Sequence, residues 1–509
     1  MKIYNTLTRK KETFTTLTDG VVKMYTCGQT VYNDIHIGNA RFYVIFDAIR
    51  RYLTYKGYAV QFVQNFTDID DKIIAKANAE GVSSQEISAR YIARTLEDLA
   101  KLNISPATVN PLVSAEMPEI IAMISELIDK GFAYESGGTV YFGVPAFEPY
   151  GKLSKKPIDD LEAGARVEVA AEKHNPADFV LWKPAKANEP HWESPWGNGR
   201  PGWHIECSAM VRKYLGDQID IHGGGADLIF PHHENEIAQS EALTGHEYSR
   251  YWMHCGLLTS AHKKMSKSSG NFFTLRELAE KYPFEVIRFY FLSGHYRMPM
   301  EFTEAVIGAS QAGFLRIRKC FNNLTHLINT PNTNMSPVSA SEAGTKAAMM
   351  PSKNTASAQD ETRPFHDAFF AAMDDDFNTA DAISAIFDLV KHINIQTASI
   401  DTHSVAYLIR LKEILTSLTD ILGIQLGDHR AGIRSHKGYI PEDYLIGTKA
   451  SPESASAIED NTAIEALIQV RQDARKNKDF TEADRIRNQL TAMGIVLEDT
   501  RGGVRWHRA

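Results

Sequence analysis

Cysteine, histidine and glutamate are spaced along this 509-residue chain in a way that could hold a metal beside a nucleotide. Cys27 stands shortly before the turn His36-Ile37-Gly38-Asn39, while Cys207 and the run His232-His233-Glu234-Asn235-Glu236 lie far downstream. Two thiolates, an imidazole and a carboxylate suit Zn²⁺, which takes sulfur, nitrogen and oxygen ligands tetrahedrally. His232 and Glu236 are four residues apart, so on a helix both project from one face. His233 is adjacent, and spacing alone does not choose between the two histidines. Without other signals Cys27 and Cys207 would read as small buried hydrophobes, because there is no close Cys-x-x-Cys pair.

Two further motifs point to nucleotide chemistry. His36-Ile37-Gly38-Asn39 falls at a strand-to-helix turn, where unpaired backbone N–H groups and the helix dipole favour phosphate. His36 and Asn39 add side-chain donors, and Gly38 allows close approach. Lys263-Lys264-Met265-Ser266-Lys267-Ser268-Ser269-Gly270 is a cationic run of small hydroxyl residues ending in glycine. Such a loop can close over a triphosphate, with Lys264 and Lys267 neutralising pyrophosphate as it leaves.

The elements that must position these groups can be read from periodicity. Val21 to Cys27 is β-prone, Ala40 to Tyr55 is apolar at helical spacing, and Tyr58 to Phe66 is β-prone again. Strand, glycine-containing turn, helix, strand predicts a βαβ unit, hence a parallel sheet with its ligand at strand carboxyl ends. Helices are expected over Ser83–Leu102 and Ala115–Lys130. Phe132 to Gly202, rich in Gly, Pro and Trp, reads as part of an insertion spanning about 115–202 between two halves of the sheet domain. Sheet character returns near Asp220 and leads to His222-Gly223-Gly224-Gly225. From Phe302 the period is helical. Thr330 to Pro364 carries almost no large apolar residue and reads as a disordered stretch; helices are expected again at Phe365–Asn394 and His403–Leu422. Gly427 to Asn461 reads as a linker, and Thr462 to Trp506 as a small unit with a basic helix pair and two short strands.

Composition sets outer limits. A chain of this length calls for two or three domains. Hydrophobic content of 43% and a net charge of −8 are those of a soluble globular protein with no overall basic face. No apolar run approaches membrane-spanning length, so no membrane association is expected. The opening residues carry no apolar leader, and the four scattered cysteines make no disulfide framework, so a reducing, cytoplasmic location is expected. Cys255 and Cys320 read as ordinary buried cysteines.

His36-Ile37-Gly38-Asn39 together with Lys264-Met265-Ser266-Lys267-Ser268 resembles the paired motifs of class I aminoacyl-tRNA synthetases. The family pattern usually has histidine where this chain has Asn39, which can donate a hydrogen bond but carries no charge. Tyr25-Thr26-Cys27-Gly28, Asn65-Phe66-Thr67-Asp68-Ile69-Asp70-Asp71-Lys72, Arg200 to Met210, Asp220 to Leu228 and Phe230 to Glu236 are similar to the cysteinyl branch of that class. The resemblance covers essentially the whole chain.

It implies an α/β, Rossmann-like catalytic domain at 1–301 with the connective insertion and a signature loop at 263–270. A helical domain follows at 302–426, then an anticodon-binding module at 462–509. It also implies that the metal ligands are Cys27, Cys207, His232 and Glu236, and that Thr67 and Trp203 wall the amino-acid pocket. His36, Asn39, Lys264 and Lys267 would be the catalytic groups around ATP, with Gly38, Gly224 and Asp227 as further ATP contacts. The expected partners are ATP with Mg²⁺, L-cysteine and tRNA(Cys), and the expected state is a monomer. Zinc suits such a substrate: a pocket that reads shape separates cysteine from serine only about 10–200-fold, whereas a thiolate is a far better zinc ligand than a hydroxyl. Four protein ligands normally close a zinc site, so substrate contact requires a fifth position or displacement of Glu236. The Arg/Lys-bearing stretch Arg471 to Arg487 and the tail through Trp506 offer phosphate and stacking contacts to tRNA. A related ligase that passes cysteine to an amino sugar would share the front of the chain but lack this tail.

Overall fold

The computed structural model describes residues 1–156, 172–187, 189–260, 263–264, 273–329, 353–398, 404–427, 486–487, 495–500 and 503–508. It divides into two units, Met1–Tyr444 and Leu445–Ala509.

In the first unit a short antiparallel pair, β1 (Lys2–Asn5) and β2 (Lys10–Thr13), precedes the central sheet. β3 (Val21–Thr26), α1 (Ile37–Tyr55) and β4 (Ala59–Gln64) form the expected βαβ unit. α1 is buried through most of its length, from Ile37 to Leu53, as a helix covering a parallel sheet must be. α2 (Asp71–Glu80) and α3 (Ser84–Lys101) follow, each opened by a side-chain cap: Asp70 accepts from Lys72 N–H and Ser83 from Glu86 N–H.

The insertion begins with α4 (Met117–Asp129). Its Gly- and Pro-rich part folds as an antiparallel sheet in the order β5 (Ala133–Ser136), β6 (Thr139–Phe142), β7 (Phe179–Pro184), β8 (Gly199–Pro201). The chain then returns through α5 (Trp203–Leu215) to β9 (Ile219–Gly225), and through α6 (Glu234–Thr244) to β10 (Ser249–Cys255). The central sheet has the order β10-β9-β3-β4, with every pairing parallel. Connections leave β3 and β9 towards opposite edges, so a crevice opens outside their carboxyl ends. Cys27 follows β3 there and Gly225 ends β9.

Short strands β11 (Leu258–Ser260) and β12 (Lys263–Lys264) pair with each other, and β11 also pairs with β13 (Met300–Glu301). Between them lie α7 (Leu275–Ala279) and α8 (Phe284–Leu292). The helical part comprises α9 (Glu304–Asn329), α10 (Lys353–Asp374), α11 (Thr379–Thr397) and α12 (Val405–Ile421).

Two sequence expectations change here. Of the stretch read as disordered, 330–352 lies outside the described residues, but Lys353 to Pro364 belongs to α10. Its Ala, Gln, Glu, Lys and Arg residues are helix formers, which a count of apolar residues overlooks. The helix expected over Phe365–Asn394 is two helices, broken where Asp376 and Phe377 adopt φ of 67° and 51°. Asp376 is held there by hydrogen bonds from Tyr4 N–H at 2.8 Å, Tyr296 Oη at 2.8 Å and Arg297 Nε at 2.6 Å. The linker 427–461 and the helix pair 471–487 fall almost wholly outside the described residues. In the second unit β14 (Ile495–Thr500) and β15 (Gly503–Arg508) form an antiparallel hairpin.

A buried ion pair joins α1 to α8. Arg288 Nη2 donates to Asp47 Oδ2 at 2.6 Å, and Arg288 also reaches the carbonyls of Leu102 and Leu422 at 2.8 and 2.9 Å. Burial alone would raise the Asp47 carboxyl, but Arg288, Arg51 and Arg50 outweigh it and hold the group below its usual range. A carboxylate with a depressed pKa stabilises the fold above its unfolded value, roughly pH 4, and that contribution disappears as pH falls through the folded value. Asp47→Asn strands the Arg288 charge and is expected to cost about 3–5 kcal/mol at pH 7. Urea unfolding should show the gap from the unmodified protein closing below roughly pH 4.

Candidate active site and metal-ligand cluster

The crevice at the carboxyl ends of β3 and β9 holds a cavity of about 340 Å³. Its lining includes Cys27 to Thr30, His36, Gly38, Asn39, Trp203, Gly225, Asp227 and Gly256. The His36 turn is built as its motif predicts. His36 caps α1, its Nδ1 accepting the Gly38 N–H at 3.0 Å. That bond fixes the tautomer, so a neutral His36 carries its proton on Nε2. Asn39 is exposed at the cavity wall, its Nδ2 donating to Gln29 Oε1 at 3.4 Å.

The chain on either side of the lysine motif is anchored, upstream to β11 and downstream to the same turn. Lys264 lies in β12, opposite Thr259. Beyond the motif, Ile37 N–H donates to Phe273 O at 3.1 Å, and Leu275 N–H donates to Ile35 O at 2.7 Å. Lys267 lies outside the described residues.

Behind the cavity four side chains converge. The ligand atoms of Cys27, Cys207, His232 and Glu236 all lie within 4.8 Å of one another, and all four residues are buried. Cys27 and Cys207 come from the two halves of the sheet domain: one follows β3, the other sits on α5. The two donors of the HHENE run are close neighbours, with His232 Nε2 3.0 Å from Glu236 Oε1. His232 precedes the regular turns of α6, which begin at Glu234. The Cys27 thiol donates to Glu236 Oε1 at 3.3 Å. The other carboxylate oxygen, Oε2, takes His222 Nε2 at 2.8 Å and Tyr248 Oη at 3.2 Å. Glu236 therefore has an anchor independent of the other three donors.

Proton affinities within the cluster are pulled apart. Burial first, then its bond to Cys207, pushes the Cys27 thiol well up. Cys207 is drawn down to about 6 by that same bond, against burial and with help from His232. The two thiols are thus driven in opposite directions, Cys27 towards the thiol and Cys207 towards the thiolate. Burial opposes charge on His232, yet Glu236 and Cys207 carry it up to about 10. Burial raises the Glu236 carboxyl, but His222 and His232 reverse this and hold it well below the usual range. The cluster is a buried anionic donor set, suited to a divalent cation.

Surrounding imidazoles orient it. His204 Nδ1 and His232 Nδ1 are 2.9 Å apart, and burial, with His232 beside it, brings His204 down to about 3. A neutral His204 can accept the His232 Nδ1 proton, turning His232 Nε2 towards Glu236 and the thiols. His233 faces Cys27 Sγ at 3.4 Å through Nε2 and His254 Nε2 at 2.8 Å through Nδ1. Cys27, His222, His233 and Glu236 make a second group with the same spacing. His222 belongs to that second group and His254 contacts its His233; motif spacing reveals neither, because they enter from β9 and β10.

Two of the expected contacts, Gly224 and Thr67, are not among the residues lining this cavity. Gly224 does not line the cavity; an added Cβ would lie 2.4 Å from His233 Cε1, so the glycine makes room for that imidazole, and Gly225 lines the cavity instead. Thr67 is also withdrawn. Its hydroxyl donates to Glu206 Oε2 at 3.3 Å and accepts from Asn65 Nδ2 at 3.3 Å. Glu206 is buried, and burial plus the charges of Cys207, Asp70 and Asp68 raise its carboxyl well above the usual range. Trp203 lines the cavity, 44% exposed, its indole stacked on His232 at 4.4 Å. Lys72, on α2, is a further cation at the cavity; it stands in a quoted motif, but nothing in its spacing marks it.

The architecture places the chain in a known class. It is similar in fold to methionyl-tRNA synthetase from Mycobacterium tuberculosis in complex with methionyl-adenylate, with TM-score 0.57 and 16% identity over 79% of this chain and 89% of that one. Residues 13–312 match the family described as tRNA synthetases class I (C) catalytic domain. Residues 368–427 match a DALR domain and 461–506 the cysteinyl-tRNA ligase anticodon binding domain. The cysteine–tRNA ligases of Lachnospira eligens and Lachnoclostridium phytofermentans are 52% and 51% identical to this chain, each aligned over 100% of both sequences. The chain belongs to the cysteinyl-tRNA synthetase family.

Cys27 owes its place to Gly28, where an added Cβ would lie 1.6 Å from the Asn65 carbonyl oxygen. Asn65 Oδ1 in turn accepts from Gly28 N–H at 2.8 Å and from Tyr25 Oη at 3.1 Å. Gly28→Ala must push the β3 end away from Asn65, and is expected to destabilise the protein by about 3 kcal/mol. A lowered thermal midpoint would show it.

Proposed function

We propose that the protein is a cysteine–tRNA ligase: it activates L-cysteine with ATP and transfers the cysteinyl group to tRNA(Cys). The observation that carries this reading is the buried Cys27–Cys207–His232–Glu236 set placed directly behind a nucleotide-sized cavity, with Cys27 belonging to both. The donor chemistry fits Zn²⁺ held by these four residues. Bound there, zinc supplies a soft Lewis acid that prefers a substrate thiolate to a serine hydroxyl.

The chain's own residues account for activation. Cysteine's carboxylate attacks the α-phosphorus of Mg²⁺-bound ATP, and the bond to pyrophosphate breaks. The nucleophile is already anionic, so the protein contributes position and charge rather than a base. His36 Nε2–H, Asn39 and the α1 amino end face the phosphates, and Lys264 and Lys267 offset charge on the departing pyrophosphate. Gly38 and Asp227 complete the nucleotide wall. Trp203 closes the amino-acid side, with Thr67 fixed behind it through Glu206. The cysteinyl group then passes to the 2′-hydroxyl of the terminal adenosine of tRNA, with residues 461–506 as the anticodon-reading part.

ATP–pyrophosphate exchange tests the reading. Exchange should depend on cysteine and be at least about 100-fold weaker with serine; equal rates with the two amino acids would sink the substrate assignment. Cys27→Ser should lose bound zinc, measured by elemental analysis, together with cysteine affinity. A zinc-free variant that still binds cysteine would make the metal purely structural. Lys267→Ala is expected to slow exchange on the order of 10²–10³-fold with zinc content unchanged, as read by exchange kinetics beside metal analysis.

A further inference from the structure

Two residues beyond Asn39, α1 carries a charge with an unusual set of partners. Arg41 is 1% exposed. Its Nη1 donates to Gly256 O at 2.6 Å and Leu257 O at 3.4 Å. Nη2 donates to Met298 O at 2.8 Å, and to His295 O and Tyr296 O at 3.3 Å. Among the described residues no carboxylate pairs with it. Burying a guanidinium without a counter-charge is costly, and an apolar side chain would fill the space more cheaply. What the fork offers that no other side chain does is several donors in fixed geometry, able to hold two backbone segments together.

Those segments touch at a glycine. An added Cβ on Gly256 would lie 2.4 Å from Met298 O and 2.7 Å from Arg297 O. Gly256 N–H donates to Tyr296 O at 2.8 Å, and Met300 N–H donates to Leu257 O at 3.0 Å. One segment, Gly256 to Leu258, is floor of the cavity and runs into β11, which pairs with Lys263–Lys264. The other, His295 to Met298, is pinned from outside by Asp376.

We propose that Arg41 is a positioning residue for ATP: by clamping the cavity floor Gly256–Leu258 to the His295–Met298 turn, it sets the spacing between the His36 turn and the strand that carries Lys264. This rests on reading the cavity as the ATP site. Arg41 itself touches no substrate and acts through the carbonyls it holds.

The test is ATP–pyrophosphate exchange by the full-length zinc-loaded protein and its Arg41→Lys, Arg41→Met and Gly256→Ala variants, with thermal midpoint and zinc content recorded for each. All three variants should raise the KM for ATP on the order of ten- to a hundredfold, while the KM for cysteine stays within about twofold. Lysine keeps the charge but not the fork, so Arg41→Lys should fare no better than Arg41→Met. Recovery by lysine would overturn the clamp in favour of bare charge, and a parallel rise in both KM values would reduce Arg41 to a structural role. If the Arg41 variants do not fold, Gly256→Ala decides alone: the same split supports the clamp and its absence overturns it. No exchange by the unmodified protein would overturn the functional reading together with the clamp. Exchange with unsplit constants in the variants overturns the clamp alone.

Discussion

Glu236 is wholly buried, and much of the site depends on keeping it so. An isolated carboxylate in an apolar interior would take up a proton or draw in water. Here one oxygen faces His232 and Cys27, while the other is held by His222 and Tyr248. Each partner arrives from a different element: β9, the turn before α6, the start of β10 and the end of β3. A charge satisfied by four elements locks their relative positions, since losing any one leaves a buried polar group unpaired. The same arrangement gathers the thiols and the His232 Nε2 around the other carboxylate oxygen, with the spacing a metal ion could use.

The parallel sheet explains why this cluster adjoins the cavity. Parallel strands end in loops on one side, and where the connections diverge, at β3 and β9, those loops part. Cys27 and the Gly225 end of β9 occupy that gap, and the α1 amino end opens beside it. One crevice thus brings together a helix dipole suited to phosphate and a soft donor set suited to a thiol. An enzyme that joins cysteine to ATP needs both within a few ångströms. Neither site could be moved without moving the other.

Farther out, buried arginines carry the organisation across the sheet. Arg41 ties α1 to two crossing backbone segments, and Arg288 ties α1 and α8 to the ends of α3 and α12 through Asp47 and backbone carbonyls. The break between α10 and α11 at Asp376 does the same for the helical part, collecting Tyr4, Tyr296 and Arg297. The strained backbone at Asp376 and Phe377 is tolerated because the carboxylate there has three donors.

The sequence by itself was enough for the βαβ start, the strand-to-helix turn at His36 and the gathering of Cys27, Cys207 and the HHENE run into one group. These are local: hydrophobic period, capping residues and motif spacing act over a few turns of chain. It misjudged Lys353–Pro364, where apolar content was low but helix propensity was not, and it ran one helix through Asp376 because only a tertiary set of donors makes that break affordable. Tertiary structure alone decided that Gly224 packs His233 while Gly225 faces the cavity, that Thr67 bonds Glu206, and that His222 meets Glu236 while His254 meets His233. Those outcomes depend on which side of a strand end or helix turn meets a partner distant in sequence. Spacing cannot record that, because the partners are brought together by sheet order and packing, not by distance along the chain.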